Sequence, residues 1–376
     1  MSESTIHVMR KSPAVRRVHP AGDESPSVSL NSRQPMTAHM KSLPGDARAV
    51  LPDPNGWFAI CFSHELQRGA VLIKPIMGRE VVLYRTQSGL ARVVEPYCPH
   101  MGAHLGHGGR VEGENLVCPF HHLQFGPQGG CVHTGRAGAV PRMALTARHM
   151  RERNGVIFTW VHQEGLPPSW EPPTHDLTGW SRPAWVHQQQ GGYFQNSGEN
   201  SVDLVHFDTI HRFRQPEMSA EVVDNQLVVR MSARILGRPF LLHLTNYDAG
   251  NLYGHFTIPS LGVQVGVQGY ATPDANLRWS LRMVTAMKVE RFSRWPAAIQ
   301  TPLYALMRLL TGVWADRTAG QDTDVWEHRG HLGSFRLMAE ERPAAQYQRW
   351  VQQFYSCNFP GVKPSATDRS AQEDAR

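Results

Sequence analysis

Two short segments of the 376-residue sequence decide the fold: Cys98-Pro99-His100-Met101-Gly102-Ala103-His104 and Cys118-Pro119-Phe120-His121. Each supplies one thiolate and one imidazole, in the order Cys-x-His, seventeen intervening residues, then Cys-x-x-His. Structural zinc sites commonly take their ligands from pairs of cysteines that grip one metal, and this spacing offers no such pair. Residues two apart on an extended loop lie on one face, about 6.6 Å apart. That separation suits the adjacent atoms of a two-metal cluster.

A Rieske [2Fe-2S] centre accounts for the mixed ligands, because two Cys hold one of its irons and two His hold the other. We therefore predict Cys98, His100, Cys118 and His121 as cluster ligands. Spacing favours them over the neighbouring Cys and His residues, which are His104, His107, His122 and Cys131. Cys131 is expected to be a small buried hydrophobe. A zinc module, or core Cys and His without a metal, is the alternative.

A second group of metal ligands is predicted in the segment Glu199–His211, which has helical spacing. On an ideal helix His206 lies about 60° to one side of Asp203 and His211 about 80° to the other, so the two His are about 140° apart. One metal cannot take both from a straight helix. We therefore expect the helix to be distorted or to end between them. Two unrelated surface His on an amphipathic helix are the alternative.

These motifs resemble those of the oxygenase components of Rieske non-haem iron oxygenases, and are most similar to the 3-ketosteroid 9α-hydroxylase and cholesterol desaturase type. The resemblance extends from about Gly56 to Tyr355 and includes four further segments: Gly56-Trp57-Phe58, Gly102 to Gly109, Asp322 to Trp326 and Tyr347 to Tyr355. One departure is His122-Leu123, where relatives commonly have Gly-Trp. Aminopyrrolnitrin oxygenase, an arylamine N-oxygenase of the same superfamily, also has His there. The departure concerns the substrate and the partner-docking surface rather than the ligands.

The resemblance also implies the remaining parts of the site. Two His and one carboxylate form the facial triad of oxygen-activating ferrous enzymes, and Asp322 matches the segment that carries the third ligand. Asp324 is the rival, and a solvated acidic turn is the alternative for either. Asp203 resembles the carboxylate that bridges a cluster His of one subunit to an iron His of the next. That role implies a homotrimer.

The expected cofactors are one Rieske [2Fe-2S] cluster and one Fe(II) per subunit. The resemblance implies that NAD(P)H acts only through a separate reductase or ferredoxin donor, and that O2 is the oxidant. In agreement, no Gly-x-Gly-x-x-Gly opens a strand-turn-helix unit. The chain is thus expected to be the oxygenase component alone.

The hydrophobic pattern predicts an α+β chain in which an all-β Rieske domain precedes a catalytic domain of antiparallel sheet and helices, of the helix-grip type that the resemblance implies. Pro and Gly residues after Val161 indicate a linker. The predicted boundaries are a disordered tail at 1–48, the Rieske domain at 49–164, the catalytic domain at 165–362 and a polar tail at 363–376. The Arg-rich start also resembles a transit peptide, and Met36 and Met40 are alternative starts.

Composition narrows the class of protein. Lys and Arg number 38 against 32 Asp and Glu, a net charge of +6, and no block of like charges indicates a nucleic-acid arm. Five cysteines are too few and too unevenly placed for a disulfide framework, which predicts a reducing, cytoplasmic location. No apolar run is long enough to span a membrane. The apolar segment Trp295–Trp314 is expected to be a buried or substrate-lining helix rather than an interfacial one.

We therefore predict an O2-dependent monooxygenase that hydroxylates a hydrophobic, steroid-like multi-ring substrate. Apolar stretches such as Ile258–Val267 and Leu303–Trp314 are candidates for the pocket, although they suit a core equally well. N-oxygenation or oxidative tailoring of an aromatic amine or secondary metabolite is the second hypothesis. An electron-transfer Rieske protein without a second iron is an alternative of another class.

Overall fold

A computed structural model describes residues 51–330 and 336–357 of the chain. The predicted tails at 1–48 and 363–376 lie outside the described residues. No helix among those residues has both the length and the apolar character needed to cross a membrane.

The described residues form seventeen strands and four α-helices. The strands of the N-terminal half are β1 Gly56–Phe62, β2 Val71–Ile76, β3 Arg79–Arg85, β4 Ala91–Val94, β5 Arg110–Glu112, β6 Asn115–Val117, β7 Gln124–Phe125, β8 Cys131–His133, β9 Met150–Arg153 and β10 Val156–Val161. The strands of the second half are β11 Ala184–Gly191, β12 Arg214–Val223, β13 Gln226–Ile235, β14 Arg238–Asn246, β15 Asn251–Ile258, β16 Val263–Ala275 and β17 Arg278–Val289. The helices are α1 Asn196–Asn200, α2 Leu204–Thr209, α3 Ala297–His328 and α4 Arg342–Val351.

The N-terminal half is all β, as predicted. Its strands form three small antiparallel sheets, in the orders β1-β10-β9, β2-β3-β4 and β5-β6-β7-β8. β1 is buried along its whole length because it is covered on both faces. The last of the three sheets packs a small core under the two cysteine loops, in which Leu105, Leu116 and Phe125 are completely buried.

The second half is one antiparallel sheet of seven strands in the order β11-β17-β16-β15-β14-β13-β12. A turn at 248–251 joins β14 to β15, and Asp248 Oδ1 accepts the backbone N–H groups of Gly250 and Asn251 at 2.9 Å. The helix α3 lies against β11 and β17. The arrangement of an antiparallel sheet with helices on it confirms the predicted α+β class.

The two halves are joined by side chains of the large sheet that bind backbone carbonyls of β1. Asn251 Nδ2 donates to Trp57 O at 2.7 Å, and Thr272 Oγ1 donates to Ala59 O at 2.8 Å. The buried Arg282 also donates to Ala59 O, at 3.0 Å. Buried carbonyls need such donors, because an unpaired one costs free energy. The predicted boundary between the domains, at 164–165, stays a prediction.

Two helical predictions need correction. The segment Glu199–His211 is not one helix, because α1 ends at Asn200 and α2 begins at Leu204. The segment Trp295–Trp314 is not buried on every side, because Ile299, Leu306 and Leu310 are each about half exposed, at 50%, 49% and 51%. The pattern of apolar residues alone does not show which of them tertiary contacts will bury.

Candidate metal centres

Two tight turns present the predicted cluster ligands. In the first, Gly102 N–H donates to Cys98 O at 2.9 Å, and in the second, His122 N–H donates to Cys118 O at 3.1 Å. Gly102 and His122 have φ values of +74° and +58°, the left-handed conformation that reverses the chain. Cys98 and Cys118 are 3% and 1% exposed. The turns therefore hold both thiols in the interior.

The four predicted donors lie together in two pairs. The rings of His100 and His121 have centroids 4.7 Å apart and an interplanar angle of 71°. Burial raises the pKa of the Cys98 thiol to about 11, and the neighbouring Cys118 thiol adds to this, whereas backbone N–H groups of His100 and Met101 oppose it. Two adjacent thiols with two imidazoles beside each other are the donor set of a Rieske cluster. The residues present therefore fit that cofactor.

The competing Cys and His residues have other contacts. His104 Nε2 lies 3.1 Å from Glu80 Oε2, and the ring of His107 packs at 4.6 Å on that of His104. Cys131 is partly buried rather than buried as predicted, and its thiol faces the carbonyl of His133. These contacts favour His100 and His121 as the cluster imidazoles, an assignment that stays a prediction.

The second predicted centre begins where α2 ends. This helix stops at Thr209, and the backbone of Arg212 turns to a φ of +59°. His211 lies beyond the helix end and is not bound to the 140° separation of an ideal helix, so that His206 Nε2 and His211 Nε2 lie 2.8 Å apart. The expectation that the helix ends between the two His is confirmed.

Helix α3 brings a carboxylate to the same point. Asp322 Oδ1 lies 3.0 Å from His206 Nε2, and Asp322 Oδ2 lies 3.6 Å from His211 Nε2. The ligand atoms of the three residues are all within 4.8 Å of one another, and each side chain is less than 10% exposed. Asp324 is exposed at the surface of the helix. Two imidazole nitrogens and one carboxylate so close together fit a ferrous ion with open positions.

The electrostatic surroundings of the two His differ. Burial lowers the pKa of His206, and His211 adds to this while Asp322 opposes it. Burial also disfavours the charged form of His211, but hydrogen bonding and charge from Asp322, with Gln321, raise its pKa. His211 Nδ1 lies 2.9 Å from Gln321 Oε1. If Nδ1 carries the proton and donates it there, Nε2 presents its lone pair to the site.

Gln321 is a contact of the predicted ligand His211 that the sequence reasoning missed. It precedes Asp322 on α3, and its side chain orients the imidazole opposite that carboxylate. Its place beside a predicted ligand was the only available signal. Such partners of ligands commonly contribute to metal affinity.

Asp203 has a local structural role at the start of α2. Its side chain caps the helix, because Oδ1 accepts the backbone N–H of His206 at 3.0 Å. An N-terminal cap of this kind satisfies a donor that has no partner within the helix. Asp203 is therefore tied directly to the residue that carries one of the imidazoles.

An ion pair that the sequence did not predict, between Glu199 and Arg329, connects α1 to the end of α3. Arg329 Nη2 donates to Glu199 Oε2 at 2.7 Å, and Arg329 Nη1 donates to Asn196 Oδ1 at 3.1 Å. Burial raises the pKa of Glu199 to about 7; the guanidinium of Arg329 opposes this and the charge of Asp203 adds to it. The cost of removing the carboxylate from water thus exceeds the gain from the ion pair.

Comparison with known proteins identifies the chain. The Rieske [2Fe-2S] domain family matches residues 56–144. The cholesterol 7-desaturase of Caenorhabditis elegans is 32% identical over 350 residues, which cover 84% of this chain and 79% of that protein. The chain belongs to the Rieske oxygenase family.

Other members support this assignment. The oxygenase component of 3-ketosteroid-9-alpha-monooxygenase from Mycolicibacterium smegmatis is 26% identical over 354 residues, covering 86% of this chain and 88% of that protein. The crystal structure of dicamba monooxygenase bound to dicamba has a TM-score of 0.62 at 16% identity, and the match covers 86% of this chain and 99% of that one. This last likeness shows the fold alone. As a Rieske oxygenase, the protein is an oxidoreductase whose cofactors are a Rieske cluster and a mononuclear iron.

Replacing Asp322 by Ala is expected to deplete the mononuclear iron by at least about 10-fold, because two neutral imidazoles remain as its only protein ligands. The matched variant Asp324→Ala should keep its iron, since that side chain is exposed. Metal analysis together with the visible absorption of the cluster checks both. Iron retained in Asp322→Ala but lost in Asp324→Ala would overturn the assignment.

Replacing Glu199 by Gln tests the buried pair through the pH dependence of stability. The folded-state pKa lies near 7, above the ordinary value of 4.5, so the folded protein binds more protons between these values. Wild-type stability relative to Glu199→Gln should therefore fall by up to about 3 kcal/mol as the pH rises from about 4.5 to about 7, and then level off. Denaturant unfolding measures this. A difference that stays flat, or that also occurs in the exposed control Glu217→Gln, would refute it.

Proposed function

We propose that this Rieske oxygenase is a terminal oxygenase component that hydroxylates a hydrophobic, steroid-like multi-ring substrate. Its electrons would come from a separate reductase or ferredoxin, the kind of donor that the family requires. The single observation that carries the choice of substrate is a row of aromatic rings that begins beside the two site imidazoles.

The row consists of side chains from different strands and a helix, each of which contacts the next. The ring of Phe213 lies 6.1 Å from that of His211 and 4.9 Å from that of Phe240. Phe240 is followed by Phe256 at 5.8 Å, and Phe256 by Trp314 of α3 at 5.5 Å. Phe213 and Phe240 are buried, and Phe256 and Trp314 pack against the same core. Aromatic side chains of this kind suit flat apolar molecules and offer few hydrogen bonds to small polar ones.

The activities for which the two relatives are named agree with a substrate of this class. One acts on cholesterol, as a 7-desaturase, and another acts on 3-ketosteroids, as a 9-alpha-monooxygenase. Both names denote large fused-ring molecules with little polar surface. Fused-ring molecules of this kind also match the flat apolar faces of the aromatic row.

The residues of this chain have distinct roles in the proposed mechanism. His206, His211 and Asp322 would hold the iron, and the ring of Phe213 beside His211 would contact the substrate. When bound, the cluster supplies electrons one at a time and the iron activates O2. Gln321 keeps the Nε2 atom of His211 directed at the site, and the aromatic rings exclude water. Cys98, Cys118, His100 and His121 would hold the cluster.

We further propose that Asp203 conducts electrons between protomers of a homotrimer. In support, the carboxylate lies three residues before His206 and is joined to the backbone of that residue. The imidazole of His100 is exposed, so a second protomer can reach it. The proposed bridge would connect this imidazole to the neighbouring protomer's Asp203.

The substrate class is tested by turnover of steroids and arylamines with a surrogate reductase under labelled O2. We expect a steroid product that gains one labelled oxygen, because the aromatic row matches fused apolar rings. Mass spectrometry of the product reads this out. An N-oxygenated arylamine as the only product would replace the proposal by the second hypothesis, and unlabelled desaturation of a steroid would keep the substrate class but change the reaction.

The bridge is tested by Asp203→Asn. Asn is also a good N-terminal cap, so α2 should keep its structure while the negative charge is lost. We expect turnover to fall by roughly 10–100-fold or more, with cluster absorption and iron content nearly unchanged. Asp203→Ala, which also removes the cap, serves as the comparison for stability. Full activity in Asp203→Asn would refute the bridge.

A further inference from the structure

We propose that one end of the seven-stranded sheet, together with the first half of α3, docks on the surface of an anionic phospholipid membrane. This surface is made of three turns and one helix, and is called here the lipid-facing end. The proposal goes beyond the proposed function, and its test requires no turnover.

Strand register places the three turns at the same end of the sheet. Ile235 pairs with Arg238 where β13 turns into β14, and Leu241 of β14 pairs with Thr257 near the end of β15. Val263, which begins β16, pairs both with Ile258 and with Val289 at the end of β17. The chain enters α3 directly after Val289. All three turns and the start of α3 therefore share one edge.

Each of these connections exposes a large apolar side chain. Leu236 is 97% exposed at the tip of the β13–β14 hairpin, Leu261 is 39% exposed between β15 and β16, and Trp295 is 44% exposed before α3. The ring of Trp295 packs at 4.8 Å on that of Phe292. Tryptophan and other amphipathic aromatic residues are enriched at the interface between lipid and water.

The first half of α3 continues this apolar surface. Ile299, Leu306 and Leu310 are each about half exposed, and they lie within about 40° of one another around the helix axis. Arg308 is the only charged residue from position 298 to 310. A contiguous apolar surface of this kind commonly marks an interaction site.

Charge indicates what covers this surface. Three exposed arginines lie at this end of the sheet: Arg234, Arg238 and Arg291. The acidic groups near this end are the exposed Glu217 of β12, Glu290, which accepts a hydrogen bond from Gln264, and Asp208, which lies 3.8 Å from Arg214. Arginines around exposed leucines complement anionic headgroups above acyl chains. A second copy of this chain, docked through the same surface, would place its arginines against these arginines.

The lipid-facing end lies at one end of the aromatic row. Trp314, the last ring of that row, follows Leu310 by about one helical turn. An apolar molecule that leaves the bilayer along α3 would meet Trp314, then Phe256 and Phe240, on the way to the imidazoles. Docking would thus let a poorly water-soluble substrate enter without crossing water.

Vesicle flotation of the full-length holoprotein tests this. We expect binding to phosphatidylcholine vesicles that contain about 30% phosphatidylserine, much weaker binding to phosphatidylcholine alone, and loss of binding at high salt. The double variant Leu306→Gln and Leu310→Gln should bind at least about 10-fold less. The double variant Arg234→Gln and Arg238→Gln should lose the preference for the anionic lipid. Leu166→Gln, at an equally exposed leucine outside this end, should bind as wild type does.

Three results would overturn the proposal. They are no binding of wild-type protein to anionic vesicles, equal binding to both kinds of vesicle, and unchanged binding of the leucine variant with its cluster absorption intact. Sedimentation analysis of the same proteins tests whether a second copy of this chain, rather than a membrane, covers this face. Self-association that the leucine variant loses, without vesicle binding, would assign this face to a second copy.

Discussion

The packing of α3 across the large sheet is the contact on which the proposed iron site depends. The helix buries a stripe at Ala315, Ala319, Asp322 and Trp326, positions that share one face of a helix. The two alanines let its backbone approach β11. Gly192, with a φ of +80°, allows the same approach after β11, because a Cβ there would collide with the carbonyl of Trp326. A shift of α3 by one turn, about 5.4 Å, would remove the carboxylate from both imidazoles.

The two proposed metal centres differ because their surroundings differ. Thiols on tight turns above a small apolar core suit a cluster whose irons exchange electrons without binding substrate. The His206, His211 and Asp322 group lies instead between a helix end and the large sheet, beside aromatic side chains. Two imidazoles and one carboxylate there would hold a ferrous ion and leave coordination positions for O2 and substrate. Backbone carbonyls of β1 bind the large sheet, so that the two halves of one protomer are held together.

Much of this architecture could be predicted from the sequence. The Cys and His spacing indicated the cluster, and the 140° between two His on an ideal helix indicated a helix end that the structure contains. The choice of Asp322 over Asp324 as the third ligand rested on resemblance. Only tertiary packing decides which of two nearby carboxylates on one helix is buried. Gln321 and the Glu199–Arg329 pair join segments far apart in sequence. The exposure of Leu306 and Leu310 likewise depends on which neighbours α3 meets.

Mössbauer spectroscopy of the anaerobically loaded, isotope-enriched protein tests the central claim, that one chain carries a mixed-ligand iron pair and a separate ferrous ion. The account predicts about two-thirds of the iron in a cluster whose sites are thiolate-ligated and imidazole-ligated, and about one-third as a single high-spin ferrous ion. A spectrum with the cluster alone would indicate an electron carrier. A spectrum in which the two cluster irons are equivalent would contradict the assignment of Cys to one iron and His to the other.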